Sequence, residues 1–212
     1  MFSLSPIVLL ARMVVLLIAM PIHEWAHAWS AYEMGDDTAS MQGRLSINPL
    51  AHLDLLGSLL ILMTGFGWAK PVPVNPYRMR RSPRSGMALS ALAGPAANLV
   101  LAMLCAVPFR LNLLHLYDVS DSLNLATLFW LIAQISIGLA VFNLIPFFPL
   151  DGEKVLIGVL PPRGGDRLLA FRPYSPYALM AVLFLLPYLG LNVVGWLIGL
   201  VMNPLIRLLF VL

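Results

Sequence analysis

Long apolar runs, each close to the length of a membrane-crossing helix, constrain this chain more than any other feature of its sequence. Three of them extend from about 6 to 32, 86 to 109 and 122 to 148. About 20 predominantly apolar residues span the hydrocarbon core of a bilayer as a helix. Composition agrees, because 60% of the 212 residues are hydrophobic and 11% are charged, against about 45–50% and about 25% in soluble domains. We therefore predict a polytopic membrane protein.

The remaining segments are predicted to stay with the membrane. Segment 51–69 is too short for a crossing and is interpreted as re-entrant or interfacial. After Arg172 no charge occurs until Arg207, which favours a membrane hairpin. The predicted fold is an all-α polytopic membrane protein. Residues 1–160 form a three-helix core with short membrane-associated extended segments, and residues 161–212 form the C-terminal helical hairpin.

Basic residues are concentrated in two loops. Residues 33–85 carry six of them and residues 151–173 carry four, whereas 110–121 contain only Arg110. The positive-inside rule then places the first two loops in the cytoplasm and the N-terminus outside. Because the basic residues lie in loops, we expect the lipid bilayer as a partner and no nucleic acid. The single cysteine, Cys105, excludes a disulfide framework and a thiolate zinc site.

Three polar residues interrupt the first apolar run, in the stretch MPIHEWAHAW. His23 and His27 stand at i and i+4, so on a helix they share one face. This spacing allows both imidazoles to bind one zinc ion, and Glu24 beside them can take a proton from water. The alternative is a pair of histidines hydrogen-bonded inside a helix bundle. Ionisable groups within a membrane are costly and usually functional, which favours the metal.

A catalytic zinc ion requires a third protein ligand. The candidates in the sequence are Glu33, His52, Asp54, His115 and Asp151. Asp151 lies in NLIPFFPLDG, where Pro146 and Pro149 prevent a regular helix from continuing. Broken backbone at membrane depth is tolerated where it lines a cavity, so Asp151 would be presented there from an irregular turn. Alternatively, Asp151 only caps the helix that follows.

Two asparagines also stand in apolar surroundings. Asn143 lies eight residues before Asp151 and could donate to a developing oxyanion, or it could join helices by a hydrogen bond. Asn98 ends the small-residue stretch SALAGPAAN, which indicates close helix packing.

The order of these motifs is similar to that of a known family. HEWAHA followed by NLIPFFPLDG resembles the site-2 protease family of intramembrane zinc metalloproteases. GDDTASMQGRLSINPLAHLDLLGSLL, GWAKPVPVNP and ALAGPAANL resemble its compact bacterial and archaeal branch, and the match covers most of residues 20–155. The resemblance implies one Zn²⁺ per chain, held by His23, His27 and Asp151. It implies Glu24 as the general acid/base.

The same resemblance gives expectations for three further residues. It implies Asn143 as a group that holds the substrate backbone or the oxyanion, and it places Asn98 near the same site, where a packing role is equally open. His52 matches a residue common in this branch, either close behind the metal ligands or in loop packing. The extra regulatory domains of many members have no counterpart in the sequence.

These expectations combine into one function. We expect a zinc-dependent endopeptidase that cuts transmembrane segments of membrane-anchored proteins, in the plasma membrane of a prokaryote, with its site open to the cytoplasm. GRLSINP and WAKPVPVNP are expected to be extended and could pair with an unwound substrate, or be ordinary loops. The alternative function is a metal-binding transporter or scaffold. A transporter typically has inverted repeats, which the sequence lacks, and a degenerate scaffold would have lost Glu24.

Overall fold

The computed structural model describes residues 6–64, 67–120, 122 and 124–211, and these residues contain helices and loops but no β-strand. Short helical turns at Thr38–Met41 and Pro49–His52 lie in the first long loop. The helices that carry the fold are α1 (Pro6–Glu33), α2 (Leu55–Thr64), α3 (Pro83–Arg110), α4 (Leu125–Asn143), α5 (Asp151–Val159), α6 (Pro162–Phe171), α7 (Ser175–Tyr188) and α8 (Val193–Phe210).

Within the described residues, α1, α3, α4 and α8 are long and apolar enough to cross a membrane. Helices α1 and α3 cover the predicted first and second spans. The third is shorter than predicted, because α4 ends at Asn143 instead of continuing to 148. Pro146 lacks the amide hydrogen that the next helical turn needs and disfavours helical backbone at Ile145. Positions 121 and 123, near the predicted start of this span, lie outside the described residues.

Helix α3 is the centre of the molecule and packs against α1, α4 and α5. Small side chains line these contacts, and Ala102, Ala106 and Ala133 are almost completely buried. Ile137 of α4 and Phe109 of α3 fill the core between them. Small residues allow membrane helices to approach closely, so that van der Waals contact holds them together. The three predicted core helices therefore form one bundle.

Helix α2 has 10 residues and rises about 15 Å, too little to cross a bilayer. The chain returns beside it, because a Cβ on Gly57 would lie 2.2 Å from the Trp68 carbonyl oxygen. Arg12 of α1 donates a hydrogen bond to the Leu62 carbonyl near the end of α2. This helix and return fit the re-entrant interpretation of 51–69, of which residues 65 and 66 lie outside the described residues.

The C-terminal region contains the predicted hairpin. Helices α6 and α7 meet at a bend of 72°, so α6 does not continue the line of α7. Gly190, at a φ of +83° that favours glycine, turns the chain from α7 into α8. Helix α8 packs on α4, and Arg110 donates to the carbonyls of Leu208 and Leu209. These contacts hold the hairpin against the core.

Candidate metal centre

Three ligand-type side chains converge between α1 and the start of α5. His27 Nε2 lies 2.9 Å from His23 Nε2 and 3.0 Å from Asp151 Oδ2, and His23 Nε2 lies 3.1 Å from the same oxygen. All three residues are buried. Among the described residues, this is the group of histidine, cysteine and acidic side chains whose geometry can hold a metal ion.

The donor atoms fit a metal ion better than a hydrogen-bond network. His27 Nδ1 lies 2.7 Å from the Ser90 carbonyl oxygen, which can only accept. A proton can bridge only one pair of these donor atoms at a time, whereas a metal ion can bind all three donor atoms at once. Zinc with nitrogen and oxygen ligands at about 2.0–2.2 Å, arranged tetrahedrally, spaces those ligands about 3.3–3.6 Å apart. The observed spacings of 2.9, 3.0 and 3.1 Å are a few tenths of an ångström shorter, so a small outward shift of the three side chains would admit the ion.

Helix α3 makes room for the two imidazoles. The i, i+4 spacing on α1 stacks His23 and His27 on the face that α3 crosses, and Gly94 lies at the crossing. A Cβ at Gly94 would stand 2.5 Å from His27 Nε2 and 2.7 Å from His23 Cε1. The small-residue stretch around Gly94 therefore permits contact between α3 and the ligand pair.

Asp151 is the first residue of α5 and follows an irregular segment, as predicted. The capping interpretation is wrong, because the N-cap is Leu150 and no side chain caps this end. Gly152 allows the segment to fold back, since a Cβ there would lie 2.2 Å from the Leu144 carbonyl oxygen. Lys154 Nζ donates to Asp151 Oδ1 at 3.0 Å. Burial alone would raise the pKa of Asp151, but the two imidazoles and Lys154 hold that pKa well below its usual range.

Glu24 and the cluster share one cavity of about 220 Å³. Part of the cavity wall comes from an extended segment, residues 67–75, whose Val72 amide donates to Glu24 Oε2 at 3.2 Å. The Lys70 amide donates to the His52 carbonyl at 2.8 Å, and Arg44 donates to the Lys70 carbonyl. This segment is therefore fixed to the site through its backbone. The amide hydrogens of Lys70 and Val72 already donate hydrogen bonds within the protein.

The two asparagines occupy different places. Asn143 lines the cavity, and its Nδ2 donates to the Leu139 carbonyl one turn back at 2.9 Å. Asn98 is completely buried behind His23, with Nδ2 3.2 Å from His23 Nδ1. Asn98 is not among the residues that line the cavity.

The other sequence candidates stand apart from the cluster. His52 is buried and its Nε2 contacts the Ser46 carbonyl at 2.6 Å, so it packs the loop that carries residues 67–75. Asp54 Oδ1 accepts a hydrogen bond from the Gly57 amide at 2.8 Å in the first turn of α2.

His115 stacks on Tyr117 beyond the end of α3, and Glu33 is the last residue of α1. None of these four belongs to the described metal-ligand group.

Sequence reasoning did not single out four groups that contact the site: Ser90, Gly94, Lys154 and the Val72 amide. Lys154 could have been found from its i+3 position after Asp151, because such pairs meet on a helix. The other three depend on how α3 and the extended segment cross α1, which local sequence does not specify.

Together, the apolar helices, the cluster and the adjacent glutamate define a multi-pass membrane protein with the site of a metallohydrolase. The family model for peptidase family M50 matches residues 112–186, which include Asn143 and Asp151. The protein "Putative zinc metalloprotease YwhC" of Bacillus subtilis is 39% identical over 191 residues, which cover 88% of this chain and 85% of that protein. "Putative zinc metalloprotease Rip2" of Mycobacterium tuberculosis is 33% identical over 193 residues, which cover 87% and 69%.

These similarities identify the family. The chain belongs to peptidase family M50, the site-2 protease family, as the motif order predicted. The same-named Rip2 of Mycolicibacterium smegmatis is 30% identical over 184 residues, which cover 82% of this chain and 66% of that protein. No solved structure matches the chain.

Proposed function

We propose that this protein is a zinc-dependent endopeptidase that hydrolyses peptide bonds within or near the transmembrane segments of membrane-anchored proteins. The observation that carries the proposal is the convergence of His23, His27 and Asp151 beside Glu24, inside a bundle of apolar helices. Family membership and the names of the relatives support both the metal and the reaction.

His23, His27 and Asp151 are the proposed ligands of one zinc ion per chain. Two imidazole nitrogens and one carboxylate oxygen are a donor set of catalytic zinc sites, which keep a further position open for water or substrate. A bound zinc ion supplies Lewis-acid polarisation of a carbonyl and makes water a nucleophile near neutral pH. Lys154 holds the second oxygen of Asp151, so the carboxylate presents Oδ2 alone to the two imidazoles.

Glu24 is the proposed general base and general acid. It lines the cavity next to the ligands but is not one of them, so its carboxylate is available for a proton. It would accept that proton from the attacking water and return it to the leaving amine. The Val72 amide holds one carboxylate oxygen, which fixes the direction in which the other oxygen points.

Two polar groups on the cavity wall are suited to the charge that develops on the substrate carbonyl. Asn143 keeps one N–H beyond the bond to Leu139, and Lys154 lines the same cavity. Donors fixed in a site of low dielectric constant stabilise an oxyanion strongly, and removal of one typically slows the reaction about 10²–10³-fold. We assign Asn143 this role, and Lys154 would add a positive charge to the same cavity.

The protein is proposed to reside in the plasma membrane of a prokaryote, with the cavity open to the cytoplasm. The charge distribution of the loops supports this orientation. Residues 67–75, which form one wall of the cavity, belong to the same basic loop. Water could then reach Glu24 from the side on which that loop lies.

The test uses the purified protein in detergent or liposomes with single-span substrates. We expect cleavage that a chelator abolishes and that added Zn²⁺ restores. Zinc binding without any cleavage of such substrates would favour the alternative, a metal-binding transporter or scaffold. Cleavage that resists complete zinc removal would contradict the metal assignment.

A further inference from the structure

Each of the three proposed zinc ligands has a second polar atom, and each of these atoms has a partner. His27 Nδ1 meets the Ser90 carbonyl, Asp151 Oδ1 meets Lys154, and His23 Nδ1 meets the Asn98 carboxamide. Partners of this kind set the orientation and the protonation of metal ligands. For His27 the direction is unambiguous, because a carbonyl can only accept. His27 Nδ1 therefore carries a hydrogen, and in the neutral imidazole Nε2 then faces the cluster with its lone pair.

His23 needs the same protonation if its Nε2 is to bind a metal. A neutral imidazole has one N–H and one lone pair, so a lone pair on Nε2 requires a hydrogen on Nδ1. The group facing Nδ1 must then accept. With Asn98 Nδ2 at that position, Asn98 Oδ1 is buried without a hydrogen-bond partner in the described part of the chain. Half a turn of the carboxamide exchanges its oxygen and nitrogen. It gives His23 Nδ1 an acceptor and leaves Nδ2 at the position that Oδ1 held. The need for an acceptor at His23 Nδ1 therefore decides the orientation of the carboxamide.

We propose that Asn98 is a positioning residue of the metal centre. Its carboxamide oxygen accepts a hydrogen bond from His23 Nδ1 and so fixes the form of the imidazole that offers Nε2 to the metal. This inference rests on the proposed zinc site. It differs from a substrate-binding role because Asn98 is completely buried, and it differs from simple helix packing because the direction of the hydrogen bond matters.

The position of Asn98 follows from the register of α3. Ser90, Gly94 and Asn98 recur every four residues, so they lie along one face of the helix. Gly94 brings that face against both imidazoles, while Ser90 and Asn98 reach past it to His27 and His23. Because the other atoms of Asn98 are enclosed, its contact with His23 is fixed by packing on all sides.

Two substitutions separate the possible roles. Asn98→Leu keeps a similar volume without polar atoms, and Asn98→Asp offers only acceptors. We expect Asn98→Leu to weaken zinc binding about 10–100-fold, measured by competition with a chromophoric chelator, and to change the visible absorption of the Co²⁺-loaded protein. Asn98→Asp should retain zinc affinity and the native Co²⁺ spectrum. Equal loss in both variants, or native affinity in Asn98→Leu, would overturn the proposal.

A measurement on the unaltered protein covers the case in which a buried aspartate prevents folding. The chain contains four histidines, so ¹⁵N-histidine labelling gives few signals. We expect the zinc-loaded protein to show His23 with its hydrogen on Nδ1, and a hydrogen on Nε2 would overturn the inference. Failure of the proposed function is recognised separately, because the unaltered protein would then not bind zinc or would not cleave a substrate.

Discussion

Gly94 is the residue at which α3 touches both imidazoles, and it has no space for a side chain. A Cβ there would lie 2.5 Å from His27 Nε2, so Gly94→Ala must displace either the helix or the ligand. We expect zinc affinity to fall at least about tenfold, with most of the helical circular dichroism retained. Gly138 of α4 is the matched control, because its Cβ would meet nothing within 4 Å. Unchanged zinc binding in Gly94→Ala would show that the crossing is looser than described.

At the scale of elements, an ion pair joins α5 to the junction of α6 and α7. Arg172 Nη2 donates to Glu153 Oε2 at 3.0 Å, and the Glu153 side chain is 2% exposed. Arg172→Met would leave that carboxylate buried without its partner. Removal of one partner of a buried pair costs about 3–5 kcal/mol, and the partial exposure of Arg172 places the expected loss near the lower end.

Denaturation in detergent measures this loss, with Arg167→Met on the exposed side of α6 as the control. That change should alter the free energy of unfolding by less than about 0.5 kcal/mol. We also expect Arg172→Met to weaken zinc binding, because α5 begins with Asp151. Equal stability of the two variants would mean that the ion pair does not hold α5 in place.

The extended segment 67–75 gives a second prediction at this scale. Val72→Pro removes the amide hydrogen that donates to Glu24, whereas Val74→Pro removes one with no partner among the described residues. A hydrogen bond to a charged group contributes about 1.5–3 kcal/mol, so kcat should fall about 10–100-fold in Val72→Pro and much less in Val74→Pro. Because the effect acts through Glu24, intact and helix-broken substrates should suffer equally.

A different dependence on the substrate would show that segment 67–75 pairs with unwound substrate. If Val72→Pro spares a substrate with a Pro or Gly near the cut but abolishes cleavage of an intact transmembrane helix, the segment acts by pairing with unwound substrate. Zinc content and thermal stability of both variants must match those of the unaltered protein for this comparison.

For the whole molecule, the predicted topology places residues 33–85 in the cytoplasm and the loop after α3 outside. Single cysteines at Arg81 and Tyr117, both exposed, should react from opposite sides of the membrane in a Cys105→Ser background. Membrane-impermeant labelling of intact cells and of inverted vesicles measures this. Reaction of both positions from the same side would rule out the arrangement of α1, α3 and α4 as successive crossings.

The features that the sequence could predict are those set by local sequence. Helices α1 and α3 were predictable because the length and hydropathy of an apolar run are local properties. The pairing of His23 with His27 was predictable because the i, i+4 spacing is local as well. The break before Asp151 was predictable from Pro146 and Pro149. The end of α4 at Asn143 was not, since the apolar run continues to 148 and hydropathy does not mark where the helix stops. The contact of Asn98 with His23 depends on the angle at which α3 crosses α1, and such angles arise from packing of the whole bundle.

Glu24 is proposed to transfer a proton at a zinc ion inside the membrane. This role is tested most directly by comparing unaltered protein with Glu24→Gln in liposomes that contain a single-span substrate. Cut sites are mapped by mass spectrometry, and zinc is measured per chain. We predict a cut within or beside the apolar segment by the unaltered protein, about one zinc ion in both proteins, and a loss of at least about 10²–10⁴-fold in Glu24→Gln. Undiminished cleavage by a zinc-loaded Glu24→Gln protein would show that Glu24 does not transfer the proton.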